Sequence, residues 1–188
     1  MAFNVSDFAA SVGKYGVAKA SHYECRINFP RGGGILNPGQ DLSMRAESVE
    51  MPGRSIQAAS YRDYGAPREI GYASLYTPIT ITFLCSSDMK ERRLFNQWQD
   101  LIIGDHRVAE GHAGGESFNV GYYDDYVASI IIAQYDETGK KRFNVQMLEA
   151  YPRTVNATTL SYASDELVKL TVQFQYRYFR ELDLDDLN

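Results

Sequence analysis

The chain has 188 residues, 44% hydrophobic and 23% charged. That is the composition of one folded domain with enough apolar side chains for a core, and it excludes an intrinsically disordered chain. A net charge of −5 argues against a nucleic-acid binder held by phosphate contacts, which needs clustered Lys and Arg. Cys25 and Cys85, the only cysteines, make neither a disulfide framework nor a metal site and fit a reducing compartment.

The opening MAFNVSDFAASVG lacks the basic start and apolar stretch of a secretory signal. No run approaches the ~20 apolar residues of a membrane span, so no membrane insertion is expected. Tyrosine is the compositional outlier, with 14 Tyr beside 9 Phe and one Trp. Tyr suits strands, and it also suits protein interfaces.

In chain order, residues 4–12 predict a short N-terminal helix capped by Asn4 or Ser6 and stopped at Gly13. Residues 22–29 alternate, with Tyr23, Cys25, Ile27 and Phe29 on one face and His22, Glu24, Arg26 and Asn28 on the other. That pattern is a half-buried strand. Pro30-Arg31-Gly32-Gly33-Gly34 breaks it, and Asn37-Pro38-Gly39 marks a turn. A second strand is expected over 42–51, ending at Met51-Pro52-Gly53.

Residues 54–76 hold four tyrosines (Tyr61, Tyr64, Tyr72, Tyr76), few aliphatics, and the turn signal Asp63-Tyr64-Gly65-Ala66-Pro67. They read as a long, weakly hydrophobic hairpin or loop that cannot bury much against its own core. A partner is its natural place. Assembly contacts are therefore expected at Arg54, Tyr61, Arg62, Asp63 and Tyr64.

Thr77–Cys85 predicts a strand with Ile79, Ile81, Phe83 and Cys85 on one face. Residues 88–103 form the one convincing helix. Asp88 and Glu91 are spaced as a capping box, Leu94, Phe95, Trp98, Leu101 and Ile102 make one apolar stripe, and Gly104 is the stop. A loop rich in Gly and His covers 104–121. Three strands close the chain. Residues 126–135 are apolar on both faces and hence central. Residues 142–151 pair with them through the turn 136–139 and end at Tyr151-Pro152. Residues 167–179 alternate throughout, with Val168, Leu170, Val172, Phe174, Tyr176 and Tyr178 opposite Lys169, Thr171, Gln173, Gln175 and Arg177. The tail 181–188 is acidic. The sum, about seven strands and one substantial helix, favours an antiparallel sandwich or barrel.

The search for chemistry is negative. Neither a G-x-S-x-G elbow nor a Walker loop is present, and Gly32–Gly34 lacks the Lys-Ser/Thr that a phosphate loop needs. His106 and His112, with Asp105, Glu110 and Glu116, match no zinc spacing and read as solvated loop residues. His22 reads as exposed. Asp124-Asp125 point oppositely on an extended chain and start or cap a loop. Cys25 and Cys85 read as packing residues. Asn156-Ala157-Thr158 fits the glycosylation pattern, which matters only behind a secretory signal. No catalytic residue, cofactor or metal is expected.

The order of these segments carries a resemblance. MRAESVEMPGRSI ends a strand in Pro-Gly before the polar hairpin. ITITFLCSSDMKERRLFNQWQDLI is a strand and capped helix with Asp88-Met89, Arg92, Phe95 and Trp98. YVASIIIAQYDETGKKRFNVQMLEAYP is a hairpin ending in Tyr151-Pro152, and LVKLTVQFQYRYF closes on Tyr176-Arg177-Tyr178-Phe179. Over residues ~20–180 this order resembles the tail tube proteins of contractile-tailed bacteriophages, a fold shared with type VI secretion tubes.

The resemblance implies a mainly β (α+β) tail-tube fold, with two packed antiparallel sheets in a sandwich/barrel, one flanking helix and a long protruding hairpin. It implies a single domain over 1–188, with an N-terminal arm at 1–20, the extended hairpin at 54–76 and the acidic tail at 181–188. It further implies a non-enzymatic virion protein of the tail, assembled in the host cytoplasm. Subunits of that family form hexameric rings whose inner sheets make a continuous barrel, and the rings stack into a tube. The implied partners are the chain itself, the sheath, the tape-measure protein, a baseplate initiator and a terminator, with DNA passing through the lumen without specific binding. The additions at 1–20, 30–40 and the tail leave open a tube-end or baseplate ring protein, or a secretion-system tube. A small-molecule-binding β-barrel is the reading from another class, and it would need a large apolar pocket.

Overall fold

The computed structural model describes Val5, Ser6, Ala10, Gly13 and residues 16–30, 40–104, 120–162 and 165–182. Nine strands and three helices lie in chain order among the described residues. They are β1 (Tyr23–Asn28), α1 (Gln40–Met44), β2 (Ala46–Val49), β3 (Arg54–Tyr61), β4 (Arg68–Tyr76), β5 (Ile79–Leu84), α2 (Lys90–Ile102), α3 (Tyr123–Tyr126), β6 (Ala128–Tyr135), β7 (Lys141–Val155), β8 (Lys169–Gln175) and β9 (Tyr178–Glu181). None of these helices is long and apolar enough to cross a membrane.

The strands build two antiparallel sheets that share one long strand. Pairing runs β1-β6-β7-β8-β5-β2, and β9 joins β7 from the side. The first part of β7, Lys141 to Ala150, pairs with β6, and its Val145 to Leu148 pair with β9 on the other side. Its last part, Tyr151 to Val155, pairs with β8. Just before the change of partner, where the register against β6 slips between Met147 and Ala150, Glu149 adopts φ +54°, a left-handed backbone that non-glycine residues seldom take. The return chain turns at the same place, because β8 ends at Gln175 in one sheet and β9 starts at Tyr178 in the other. Arg177 donates from its backbone N–H to the Leu148 carbonyl (3.1 Å) and from its guanidinium to the Glu149 carboxylate (2.8 Å).

This corner corrects two sequence expectations. Strand β7 does not stop at Tyr151-Pro152 but runs on to Val155 in the second sheet. Pro152 is tolerated because the register slips between it and Thr154, where a missing N–H does least harm. The last strand does not alternate through residue 179. Leu170, Val172, Phe174 and Tyr176 are buried, then the phase breaks, so that Tyr178 faces solvent and Phe179 turns inward against Tyr76.

The path is open, so the molecule is a sandwich and not a barrel. Its end strands β1 and β2 share no backbone pairing. The Tyr23 hydroxyl bridges them by donating to the Ala46 carbonyl at 3.0 Å, with the Glu47 carbonyl also in reach. The expected strand over 42–51 is short. Leu42 is buried from α1, and only Ala46–Val49 pair with β5.

The core lies between the sheets and under α2. Cys25 and Ile27 of β1, Ile79, Ile81 and Phe83 of β5, Ile130 and Ile132 of β6, and Met147 of β7 are all buried. Helix α2 adds Leu94, Phe95 and Trp98. Phe95 lies 5.1 Å from Phe83 and 5.8 Å from Phe174, and Trp98 lies 5.0 Å from Phe29, centroid to centroid. The indole N–H, which burial would otherwise orphan, donates to the Tyr126 carbonyl at 2.7 Å. Leu101 and Ile102 are half-buried, so the apolar stripe fades toward the helix end.

The start of α2 is not the expected Asp88–Glu91 box. Met89 precedes the helix at φ +52°, and Asp88 pairs with Lys90 (3.2 Å). Ser86 takes the capping role. Its Oγ accepts from the Lys90 N–H (3.3 Å), while its N–H and hydroxyl both donate to the Glu91 carboxylate (2.9 Å each). Burial alone would raise the Glu91 carboxyl. The Ser86 donors and Arg45 (3.3 Å) outweigh it and hold the group below its ordinary range.

Val5, Ser6, Ala10 and Gly13 are helical, so Gly13 is no stop. The remainder of the 4–12 helix, the Gly32–Gly34 break, the Asn37-Pro38-Gly39 turn, most of the 104–121 loop and the tail beyond Leu182 lie outside the described residues. Asp124 and Asp125, expected to start or cap a loop, form the first turn of α3.

Two expectations follow. Glu149→Ala loses the Arg177 pair and keeps the left-handed backbone, whereas Glu149→Gly loses the pair but relieves the backbone. The Gly variant should be the more stable by about 1 kcal/mol in urea unfolding. Glu91 has a lowered folded pKa, so its stabilisation is present above its ordinary value of 4.5 and is lost as pH falls through the folded value. Glu91→Gln should shift the urea midpoint down at a pH of about 7, and the gap from wild type should narrow at a pH of about 3.

Candidate assembly surfaces

The most exposed structured element is the β3–β4 hairpin, a two-stranded sheet separate from the sandwich. Every residue from Gly53 to Tyr72 is exposed. The register pairs Arg54 with Tyr76 at the base and Tyr61 with Arg68 at the tip, with a bulge beside Ala58. The tip turns through Gly65, whose φ of +88° only glycine adopts freely.

Alternation gives the hairpin two unlike faces. Tyr61, Ile70 and Leu75 share one, and Tyr72 joins them through its hydroxyl, which donates to Gln57 Oε1 at 3.2 Å. Each is about half exposed or more, Tyr72 at 67%. The other face carries Ile56, whose side chain crosses so close to Gly71 that an added Cβ there would come within 2.8 Å of it. A lone two-stranded hairpin is marginal in water. Covering the four half-exposed side chains of the apolar face would recover about 1 kcal/mol each, roughly half the value for a fully exposed one.

The structure gathers Tyr61, Arg62, Asp63 and Tyr64 at the tip, with Tyr64 fully exposed. It does not bring Arg54 to them. Arg54 stands seven residues back at the base, about 23 Å away at the rise of an extended strand. Tyr76 leaves the tyrosine group altogether and packs on Tyr176 (6.1 Å) and Phe179 (5.7 Å), fastening the hairpin base to the corner. The Tyr176 hydroxyl donates to the Gly53 carbonyl on the opposite leg (3.3 Å). Sequence reading missed the Ile70–Tyr72–Leu75 stripe. The alternation in REIGYASLY carries it, interrupted by one bulge residue.

A second surface is the outer face of β5 and β8. Thr80 and Thr82 stand beside Thr171, Gln173 and Gln175, all half-buried, and the Thr82 and Thr171 hydroxyls approach to 3.4 Å. Lys169 and Arg177 close the row at its two ends and are held by Glu47 (2.5 Å) and Glu149 (2.8 Å). The middle of the face is uncharged.

The groups considered for chemistry find other uses. Burial, with a smaller push from Glu24, raises the Cys25 thiol to about 12, and burial raises Cys85 as well. Both thiols are disfavoured as nucleophiles. His22, expected exposed, is half-buried. His106, His112, Asp105, Glu110 and Glu116 lie outside the described residues. Among the described residues no group of three His, Cys, Asp or Glu side chains could hold a metal.

The sequence profile of the phage tail tube protein family matches residues 18–182. No curated protein matches the chain. Among solved structures, the chain is similar to one in the anti-feeding prophage (AFP) baseplate, at 12% identity and TM-score 0.64, covering 89% of this chain and 97% of that one. It is similar to a chain of the PVC sheath-tube complex of an extracellular contractile injection system (11% identity, TM-score 0.61, 92% and 96% covered). It is also similar to a chain of the PVC sheath/tube terminator (12%, 0.61, 89% and 97%). At such identities these likenesses concern the fold. Because the profile spans almost the whole chain, the chain belongs to the phage tail tube protein family.

Proposed function

We propose that this protein is a non-enzymatic structural subunit of a phage tail tube. It forms hexameric rings, in which sheets of six copies join around a lumen, and the rings stack inside a contractile sheath to deliver the genome. The observation that carries the reading is the β3–β4 hairpin. It is a whole supersecondary element with an apolar face and no core of its own to cover it. Self-association supplies the missing contact, and Tyr61, Arg62, Asp63 and Tyr64 lead into it, with Arg54 at its root.

Other features support the same reading. Among the described residues the open sandwich leaves β1, β2 and β9 each with no strand paired along one edge, an aggregation hazard that edge-to-edge joining between subunits removes. The uncharged Thr and Gln face of β5 and β8 offers a polyanion little to grip, which suits a bore through which DNA slides. The partners in this reading are other copies of the chain, the sheath, the tape-measure protein, a baseplate initiator and a terminator. The place is the virion tail, after assembly in the host cytoplasm. A second reading is a ring at the end of the tube, favoured by the likeness to chains in baseplate and terminator structures.

Negative-stain electron microscopy across a concentration series tests both readings. Hollow tubes of uniform width are the expected outcome for the main tube, and isolated six-fold rings at every concentration would select the tube-end reading. A strict monomer throughout would count against both. Deletion of residues 58–68 should abolish stacking while leaving the circular dichroism and thermal transition of a folded subunit. Long tubes from that variant would remove the hairpin from the mechanism.

A further inference from the structure

One row of residues leaves a hollow on the outer face of β1, β6 and β7. Cys25, Ile132 and Val145 of these strands point into the core, so their neighbours Glu24, Ala133 and Asn144 stand on the opposite face. The registers put Glu24 opposite Ala133 and Ala133 opposite Asn144, so the three form a line across three strands. The outer two backbones are about 10 Å apart, and only a methyl group stands between them. Arg26, Ile131 and Lys141 complete the wall of a cavity of about 20 Å³.

Asn144 is 1% exposed. Its backbone carbonyl accepts from the Leu182 N–H at 3.0 Å. Its side-chain Oδ1 and Nδ2 find no hydrogen-bond partner among the described residues. An unmatched buried amide is unfavourable, so the cavity must supply a donor for Oδ1 and an acceptor for Nδ2. Across the cavity, Glu24 accepts from the Tyr135 hydroxyl (2.6 Å) and from Arg26 (2.8 Å). The Tyr135 hydroxyl, with Arg26, outweighs burial and holds the Glu24 carboxyl below its ordinary range. Glu24 is thus an ionised acceptor with lone pairs to spare, and whatever meets it must donate.

These demands select the occupant. An anion would be repelled by Glu24 and would leave Oδ1 unmatched. A metal cation would be repelled by Arg26 and Lys141 and would leave Nδ2 unmatched. Water donates and accepts, and it needs roughly 10–15 Å³ of such space. We propose that the cavity is a binding site for one water molecule. The water accepts from Asn144 Nδ2 and donates one hydrogen to Asn144 Oδ1 and the other to the Glu24 carboxylate. It thereby ties β1 to β7 over the top of β6, two strands that share no backbone pairing. All the residues concerned belong to one copy, so the site does not depend on the tube reading.

A crystal structure at a resolution that shows ordered water reads the site directly. A density peak is expected about 3 Å from both Asn144 side-chain atoms and from a Glu24 oxygen. A hollow without density, or one filled by a protein group, would overturn the proposal. So would an anomalous peak there in crystals grown with bromide, which would show an anion. A double-mutant cycle in urea gives a second test. Ala133→Val fills the hollow and expels the water, which strands the Asn144 amide. Its loss in folding equilibrium constant should be about tenfold larger in the wild-type background than in Asn144→Leu, which has no amide to strand. A purely steric cost of the added methyl groups would persist in both backgrounds, so equal losses would overturn the proposal.

Discussion

Glu149 and Arg177 stand where the chain twice passes from one sheet to the other, outward along β7 and back between β8 and β9. A single strand shared by two sheets can keep its hydrogen bonds only if it turns sharply at one residue, and here that residue accepts a left-handed backbone. The cost of that conformation is of order 1–2 kcal/mol. The compensation is local: the Arg177 guanidinium on the Glu149 carboxylate and the Arg177 N–H on the Leu148 carbonyl. The ion pair is largely exposed and contributes little by itself. Its weight lies in registering two crossing strands at one point, so that Tyr176 falls inward and Phe179 meets Tyr76.

That registration reaches the β3–β4 hairpin through three aromatic rings. Tyr76, Tyr176 and Phe179 pack together at the corner, and the Tyr176 hydroxyl reaches Gly53. Both legs of the hairpin are thus tied to the place where the sheets are joined. A projecting two-stranded sheet pivots freely unless its base is fixed, and a pivoting base would spread its apolar face over many orientations at an entropic cost to binding. The corner therefore links folding to presentation: the contacts that join the two sheets also aim the hairpin.

Much of this was legible in the sequence because the periodicities are plain. The alternation in β1 and β5, the stripe on α2 and the two-sided apolarity of β6 each state burial directly, and the exposed hairpin follows from the poverty of aliphatics between Arg54 and Tyr76. What stayed hidden depends on non-local geometry. Pro152 looks like a terminator because a strand with one partner would end there, and only the change of partner from β6 to β8 explains its place. Tyr178 looks like a core residue until the sheet crossing at Arg177 shifts the phase. Ser86 caps α2 from outside the expected spacing because Met89 takes a left-handed turn first. Tyr76 and Tyr64 are equivalent in composition, yet one anchors the hairpin and the other is wholly exposed.

Exposed apolar surface on a sheet edge invites indiscriminate pairing, so a protein that must assemble in one order has to make its sticky elements selective. Here the hairpin breaks its own regularity with a bulge at Ala58 and presses Ile56 across Gly71, which leaves one face apolar and the other crowded. The neutral Thr and Gln face of β5 and β8 carries no comparable apolar stripe, and Lys169 and Arg177 at its ends are each held by a carboxylate. The hairpin thus gathers most of its exposed apolar groups on one face of an element that stands apart from the sandwich.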